Sequence, residues 1–156
     1  MNELFKQLSH GVYVIAVSDG IHHNAFTAAW VMQASFDPPL LAFSINPAHY
    51  SYSLLQAEGV CTVNVLGQHQ LAIAEHFGRS NPDKMAGFAW QQGLSSAPVL
   101  ADSLAYFDCR VSHYTDAGDH KIVVCEVLAG AILQQGKPLL YGQTGSMDDS
   151  DSLYPS

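Results

Sequence analysis

The sequence predicts a mainly β domain of barrel type with short helices at its flanks. Three observations carry that reading. Six or seven β-branched or alternating runs are separated by Gly, Pro, Asn and Asp turns. Only two stretches of helical spacing interrupt them, and the regular βαβ alternation of a parallel sheet is missing. With 156 residues, 48% apolar and 13% charged, the chain suffices for one core. We take residues 1–146 as a single domain, and Met147 to Ser156, with three aspartates among serines, as a disordered acidic tail.

The elements follow in order. Asn2 to Leu8 can form one or two helical turns. Val12 to Val17 is a β-branched run closed by the turn Asp19-Gly20, so it reads as a buried strand. A second strand, Ala25 to Ser35, ends where Pro38 and Pro39 withdraw two ladder donors. Leu40 to Ile45 is the third. Ala48 to Gln56 takes helical spacing through Tyr50, Leu54 and Leu55, and Gly59 stops it. Val60 to Leu66 returns to strand chemistry, and Gln68 to Phe77 is again helical, ended by Gly78. Arg79 to Gly87 lacks periodicity and is the longest expected loop, a lid or a dimer contact.

Beyond Pro98, Ala105, Phe107, Cys109 and Val111 alternate inward against Tyr106, Asp108, Arg110 and Ser112 outward. A hairpin at Thr115 to Asp119 then returns the chain through His120 to Leu133, antiparallel to it. Pro138 to Tyr141 reads as a last short strand.

Fourteen acids against six cations give a net charge of −8, a field that repels nucleic acid and anionic lipid surfaces. Any phosphate-bearing ligand must therefore be held by one or two of Lys6, Arg79, Lys84, Arg110, Lys121 and Lys137, helped by hydroxyls and backbone N–H groups. Cys61, Cys109 and Cys125 are odd in number, lie in apolar runs and lack C-x-x-C spacing, so they read as buried reduced thiols. Neither a signal-peptide pattern nor an apolar run long enough for a bilayer is present, and the expected setting is the cytoplasm.

Neither G-x-G-x-x-G nor G-x-x-x-x-G-K-[ST] occurs, which removes the Rossmann and P-loop readings; H-E-x-x-H and G-x-S-x-G are absent too. The eight histidines match no standard ligand spacing, so no metal site is expected. Two segments say more. In Asn24-Ala25-Phe26-Thr27-Ala28-Ala29-Trp30, small side chains on a strand leave backbone groups open to a flat ligand, although they also suit tight strand packing. In Ser44 to Ser51 a strand end, several hydroxyls, an amide and a helix N-terminus meet in one turn, which suits an anion; ordinary capping by Asn46 is the alternative.

Together with VCTVNVL (Val60 to Leu66), QLAIAEHFG (Gln70 to Gly78), KMAGFAW (Lys84 to Trp90), APVLADSLAYFDCRV (Ala97 to Val111) and GDHKIVVCEV (Gly118 to Val127), the stretch from Asn24 to Leu55 resembles the flavin reductase-like family of FMN-binding split barrels. The resemblance covers Gly11 to about Tyr141. It implies a split β-barrel with a Greek-key core, a homodimer, bound FMN with FAD as an alternative, and NADH or NADPH as reductant. By the same resemblance Phe26, Thr27, Ala28, Ala29 and Trp30 would lie along the isoalloxazine. Ser44, Asn46, His49 and Ser51 would surround the ribityl and phosphate, and Arg79 or Lys84 would neutralise the phosphate. His120 would stand at the reactive end as the catalytic residue. Trp30 to Gln33 depart from the small, serine-containing stretch of stand-alone reductases and resemble modules that serve a larger electron-transfer chain, so a downstream electron-accepting protein is a further expected partner.

Three readings follow. The first is an NAD(P)H-dependent flavin reductase, the second an FMN-binding electron-transfer protein with little pyridine-nucleotide activity, and the third a metal-binding module built on the histidines.

Overall fold

In a computed structural model, which describes residues 1–145, nine strands and three short α-helices form the chain. Strands β1 (Tyr13–Ser18), β2 (His23–Ala28), β3 (Val31–Ser35), β4 (Leu40–Ile45), β5 (Val60–Val65), β8 (Ala105–Ala117) and β9 (His120–Ile132) make one antiparallel sheet in the order β2-β1-β5-β8-β9-β4-β3. Strands β6 (Trp90–Gln92) and β7 (Pro98–Leu100) pair separately. The helices are α1 (Asn2–Phe5), α2 (Tyr50–Glu58) and α3 (Leu71–Phe77).

The two edges of the sheet, β2 and β3, are consecutive in the chain and joined only by Ala29 and Trp30. Such a short connection forces the sheet to curl until its edges meet at one end, and the shared core shows that it does. Phe26 on one edge strand packs in the same cluster as Phe43 and Ile45 of β4, near the other edge, with Ile15, Val63, Val123 and the apolar face of α2 between them. No ladder joins β2 to β3, so the barrel is split there. A second core lies on the outer face of the β2-β1-β5 half, where Val14, Ala16 and Ala25 meet Ala74 and Phe77 of α3 and Leu100 of β7. Residues of β1 are therefore buried on both faces, which explains its unbroken apolar run.

Three local features differ from the sequence reading. The segment Ala25 to Ser35, expected as one strand, is two: β2 pairs with β1 and β3 with β4, because the chain must cross the split of the barrel at Ala29-Trp30. Pro138 to Tyr141 is no strand. It makes two single bridges, Gly67 to Pro138 and Gly11 to Leu140, and then a 3₁₀ turn at Tyr141–Gln143. Asp108, expected to point outward, is fully buried: a bulge between Asp108 and Cys109 breaks the alternation of β8. Its carboxylate accepts bonds from the backbone N–H groups of Leu94 (2.7 Å) and Ser95 (3.0 Å) and from the Ser95 hydroxyl (2.6 Å), which clips the β6–β7 turn to the sheet. The short strands β6 and β7 themselves are an addition to the pattern read from sequence. The Met147 to Ser156 tail lies outside the described residues.

Helix α2 ends where expected, at Gly59 with φ 66°, whose N–H bonds the Leu55 carbonyl at 2.7 Å; only glycine takes that left-handed conformation without strain. Cys61, Cys109 and Cys125 are free and buried, and hydrogen bonding from Cys109 and Cys125, then burial, pushes the Cys61 thiol well up.

Candidate flavin site

A cleft of about 920 Å³ opens between the edge strand β2, the start of α2 and the segment that follows α3. Phe26 and Thr27 come to it from β2, His49 from the residue just before α2, and Arg79 and Lys84 from the loop after α3. These five of the expected site residues are thus brought together by three separate elements. The Thr27 hydroxyl donates to the Ala74 carbonyl at 2.6 Å, which fixes α3, and hence the start of the loop, against β2.

Lys84 is the most telling of them. It is 8% exposed, yet among the described residues no carboxylate or other acceptor pairs with its ammonium. Burial alone pushes its pKa below the lysine range. Its backbone is held on both sides: His76 Nε2 donates to the Lys84 carbonyl at 2.8 Å, and Trp90 Nε1 donates to the Met85 carbonyl at 2.9 Å. The half of the loop that carries Lys84 is therefore anchored to α3 and β6. The Lys84 side chain is largely buried and its ammonium is unpaired, so an anion that enters the cleft finds a cation to meet.

His49 packs its ring against Phe26 with centroids 6.0 Å apart. Its pKa lies below the usual histidine value, first through partial burial and then through the Lys84 and His120 charges. At neutral pH the ring is therefore neutral, a hydrogen-bonding group and not a second cation.

The remaining expected residues stand around the cleft. Ser51 is buried, and its hydroxyl accepts a bond from Asn24 Nδ2 at 2.9 Å, so it orients Asn24, which does line the cleft. Asn46 Oδ1 accepts from the Ala48 N–H at 2.9 Å in the turn that leads to α2; the helix starts later than the sequence suggests, with His49 at its cap and no side-chain capping bond. Ser44 belongs to β4, and its N–H bonds the Trp30 carbonyl at 3.1 Å. Ala28 ends β2, Ala29 and Trp30 span the split, and Trp30 lies against His120 with ring centroids 5.2 Å apart. His120 bonds the Asp119 carboxylate at 2.7 Å through Nδ1, which holds that carboxyl below its ordinary range. Sequence reasoning missed His22, His23 and Met85 in the cleft, whereas Asn24 and Tyr50 come from the two segments it named. The two histidines follow the Asp19-Gly20 turn, and the hairpin pairing of β1 with β2 is what puts them there.

Residues 5–148 match the flavin reductase like domain. The chain belongs to that family. It is 34% identical over 137 residues to the FMN reductase (NADH) RutF of Variovorax paradoxus, covering 86% of this chain and 76% of the relative. It is 36% identical over 137 residues to the reductase subunit HsaB of a flavin-dependent monooxygenase from Mycobacterium tuberculosis, covering 86% and 73%. Among solved structures it superposes on the NADH:FAD oxidoreductase SgcE6 of Streptomyces globisporus, in complex with NAD and FAD fragments, with a TM-score of 0.85 at 26% identity, covering 92% of this chain and 87% of that one. The mainly β, antiparallel fold expected from the sequence is the fold of this family. Among the described residues no cluster of His, Cys, Asp or Glu could hold a metal ion, and no helix is long and apolar enough to cross a membrane.

Proposed function

We propose that this protein is an NADH-dependent flavin reductase that binds flavin in the cleft between β2, His49 and Lys84. The observation that carries the reading is the unpaired Lys84 ammonium, on a largely buried residue beside an open cleft, with Arg79 on the same loop. In a chain with only six cations, this pair is suited to a phosphate ester. The names of the relatives, FMN reductase (NADH) and NADH:FAD oxidoreductase, support the same chemistry.

The roles of the residues follow from their positions. Lys84 and Arg79 neutralise the phosphate. His49, neutral and seated on Phe26, hydrogen-bonds near it without adding charge. β2 is an edge strand, so half of its backbone N–H and C=O groups face away from β1 and are free to meet the polar rim of a flat ring; the small Ala28 and Ala29 leave that approach open. When bound, flavin supplies the acceptor for a hydride from the reduced nicotinamide. His120 positions the nicotinamide, its ring held by Asp119 on one side and Trp30 on the other. Trp30 narrows the mouth of the site.

Two copies of the chain form the working unit in this reading, and buried free thiols fit a cytoplasmic setting. The electron acceptor downstream is a protein or a flavin passed to one, as the reductase subunit of a monooxygenase implies for its own partner. A second reading, electron transfer with little pyridine-nucleotide activity, is favoured by Trp30, which is 46% exposed beside His120 where a nicotinamide would have to enter.

Anaerobic mixing of the FMN-loaded protein with NADH, and separately with NADPH, decides between the two. Fast bleaching of the flavin by NADH supports the reductase, whereas a flavin that stays oxidised while bound supports the electron-transfer protein.

A further inference from the structure

Lys84 sits at the centre of a tight turn. The Ala86 N–H bonds the Asp83 carbonyl at 3.1 Å, and Asn81 Oδ1 accepts from the Asp83 N–H at 2.9 Å, so Asp83, Lys84, Met85 and Ala86 form a β-turn. The turn's own hydrogen bond leaves the two central carbonyls, those of Lys84 and Met85, to find partners elsewhere. Among the described residues neither accepts from a backbone N–H. Two aromatic ring donors take them instead: His76 Nε2 reaches the Lys84 carbonyl at 2.8 Å, and Trp90 Nε1 the Met85 carbonyl at 2.9 Å. A carbonyl oxygen can only accept, so the His76 ring carries a proton on Nε2.

Both donors belong to one block of rings. His76 packs edge-on against Phe77 with centroids 4.8 Å apart and tilted against Phe88 at 4.7 Å. Phe77, only 1% exposed, in turn meets Phe88 at 4.9 Å and Trp90 at 5.8 Å. Contacts of this kind fix ring orientation as well as position. The turn therefore hangs by two successive carbonyls from a block whose rings come from α3, from β6 and from the chain between the turn and β6. Lys84 lines the cleft, whereas His76 does not, so the histidine can affect a ligand there only through the turn it holds. A lysine side chain loses much rotamer freedom when it pairs with an anion, and a backbone already held in place reduces what remains to be ordered. Arg79, the other cation of the loop, is exposed near its start.

We propose that His76 is a positioning residue for the phosphate end of the cleft: by holding the Lys84 carbonyl it aims the Lys84 side chain at a phosphate ester, and so makes the site select phosphorylated flavin over riboflavin. The proposal rests on the flavin reading of the cleft. It assigns the selectivity to a residue that does not touch the ligand.

Titration calorimetry with FMN and with riboflavin, which lacks the phosphate, is run on the full chain and on two variants. His76→Phe keeps a ring against Phe77 and Phe88 but removes the donor; His76→Gln keeps an amide donor near the Nε2 position. The wild-type chain is expected to prefer FMN by about tenfold or more. His76→Phe should weaken FMN about fivefold and leave riboflavin unchanged, while His76→Gln stays within about twofold of wild type for both. Added to Lys84→Met, His76→Phe should weaken FMN by less than about twofold, because the side chain through which it acts is gone. If His76→Phe does not fold, His76→Asn, whose shorter amide stops short of the carbonyl, takes its place in each comparison. Equal losses of FMN and riboflavin in a folded variant show a purely structural role and overturn the proposal. So do an unchanged FMN affinity, an undiminished effect in the Lys84→Met background, and a wild-type chain that binds the two flavins alike, the last leaving the flavin reading intact. A wild-type chain that binds neither flavin defeats that reading instead; heat with inorganic phosphate that falls in His76→Phe then still supports the positioning role, and an absence of phosphate heat overturns it.

Discussion

The indole of Trp30 lies against the imidazole of His120, ring centroids 5.2 Å apart, at the split between the two edges of the sheet. His120 opens β9, directly after the hairpin, and Trp30 sits in the two-residue crossing from β2 to β3. Neither side chain lines the cleft beside Lys84, yet the His120 charge is felt at His49, which does. His49 thus stands within electrostatic reach of both His120 and Lys84. His120→Ala is expected to slow flavin reduction in stopped flow by about tenfold or more, on the order of 1.4 kcal/mol in the barrier, with FMN affinity little changed. A variant that reduces flavin at the wild-type rate removes His120 from the reacting end.

Lys84 predicts a trade between stability and binding. Its folded pKa is below the ordinary 10.5, so in the window between the two values the unfolded chain binds more protons and stability rises with pH. At neutral pH both states are protonated and the burial penalty is felt in full. Lys84→Met should therefore raise the melting temperature of the flavin-free protein while weakening FMN by about tenfold or more. It should also remove the gain of stability toward alkaline pH. A Lys84→Met protein that is less stable without flavin and binds FMN normally would show that the ammonium serves the fold.

Asp108 holds the β6–β7 turn through three hydrogen bonds in a fully buried position. Asp108→Ala leaves the N–H groups of Leu94 and Ser95 without their acceptor, at a cost of roughly 2–4 kcal/mol of folding free energy in urea denaturation. A loss below about 0.5 kcal/mol would mean that the turn finds other partners.

A homodimer is expected in solution. Met32, on the edge strand β3, is 61% exposed and Phe36 just after it 90%, an apolar edge that a monomer leaves in water. Sedimentation equilibrium should give about twice the 16.9 kDa chain mass, and Met32→Lys should lower it. A wild-type monomer that still binds flavin contradicts the expectation.

Much of this architecture is legible in the sequence for a physical reason. β-branched runs and Gly, Pro and Asx turns act locally, so strands such as Tyr13–Ser18 and Leu40–Ile45 and the ends of both longer helices could be placed by reading along the chain. What could not be read depends on contacts distant in sequence. The break of Ala25 to Ser35 into two strands comes from closing the sheet, because nothing local to Ala29 or Trp30 announces that the partners on either side differ. Asp108 is turned inward by a bulge and stabilised by Ser95, thirteen residues away in sequence. In the site, the scarcity of cations narrows the phosphate partners to six, and the resemblance to the family points to Arg79 or Lys84 among them. The burial of Lys84 and the recruitment of His22 and His23 emerge only when the β1–β2 hairpin meets the loop after α3.

The central claim is that the cleft catalyses hydride transfer from NADH to flavin, and its most direct test is NADH oxidation followed at increasing FMN with catalytic amounts of protein, against a protein-free blank. The account predicts a rate proportional to protein concentration that saturates with FMN and falls strongly in Lys84→Met at low FMN. A rate indistinguishable from the blank, with FMN shown to be bound, would contradict it.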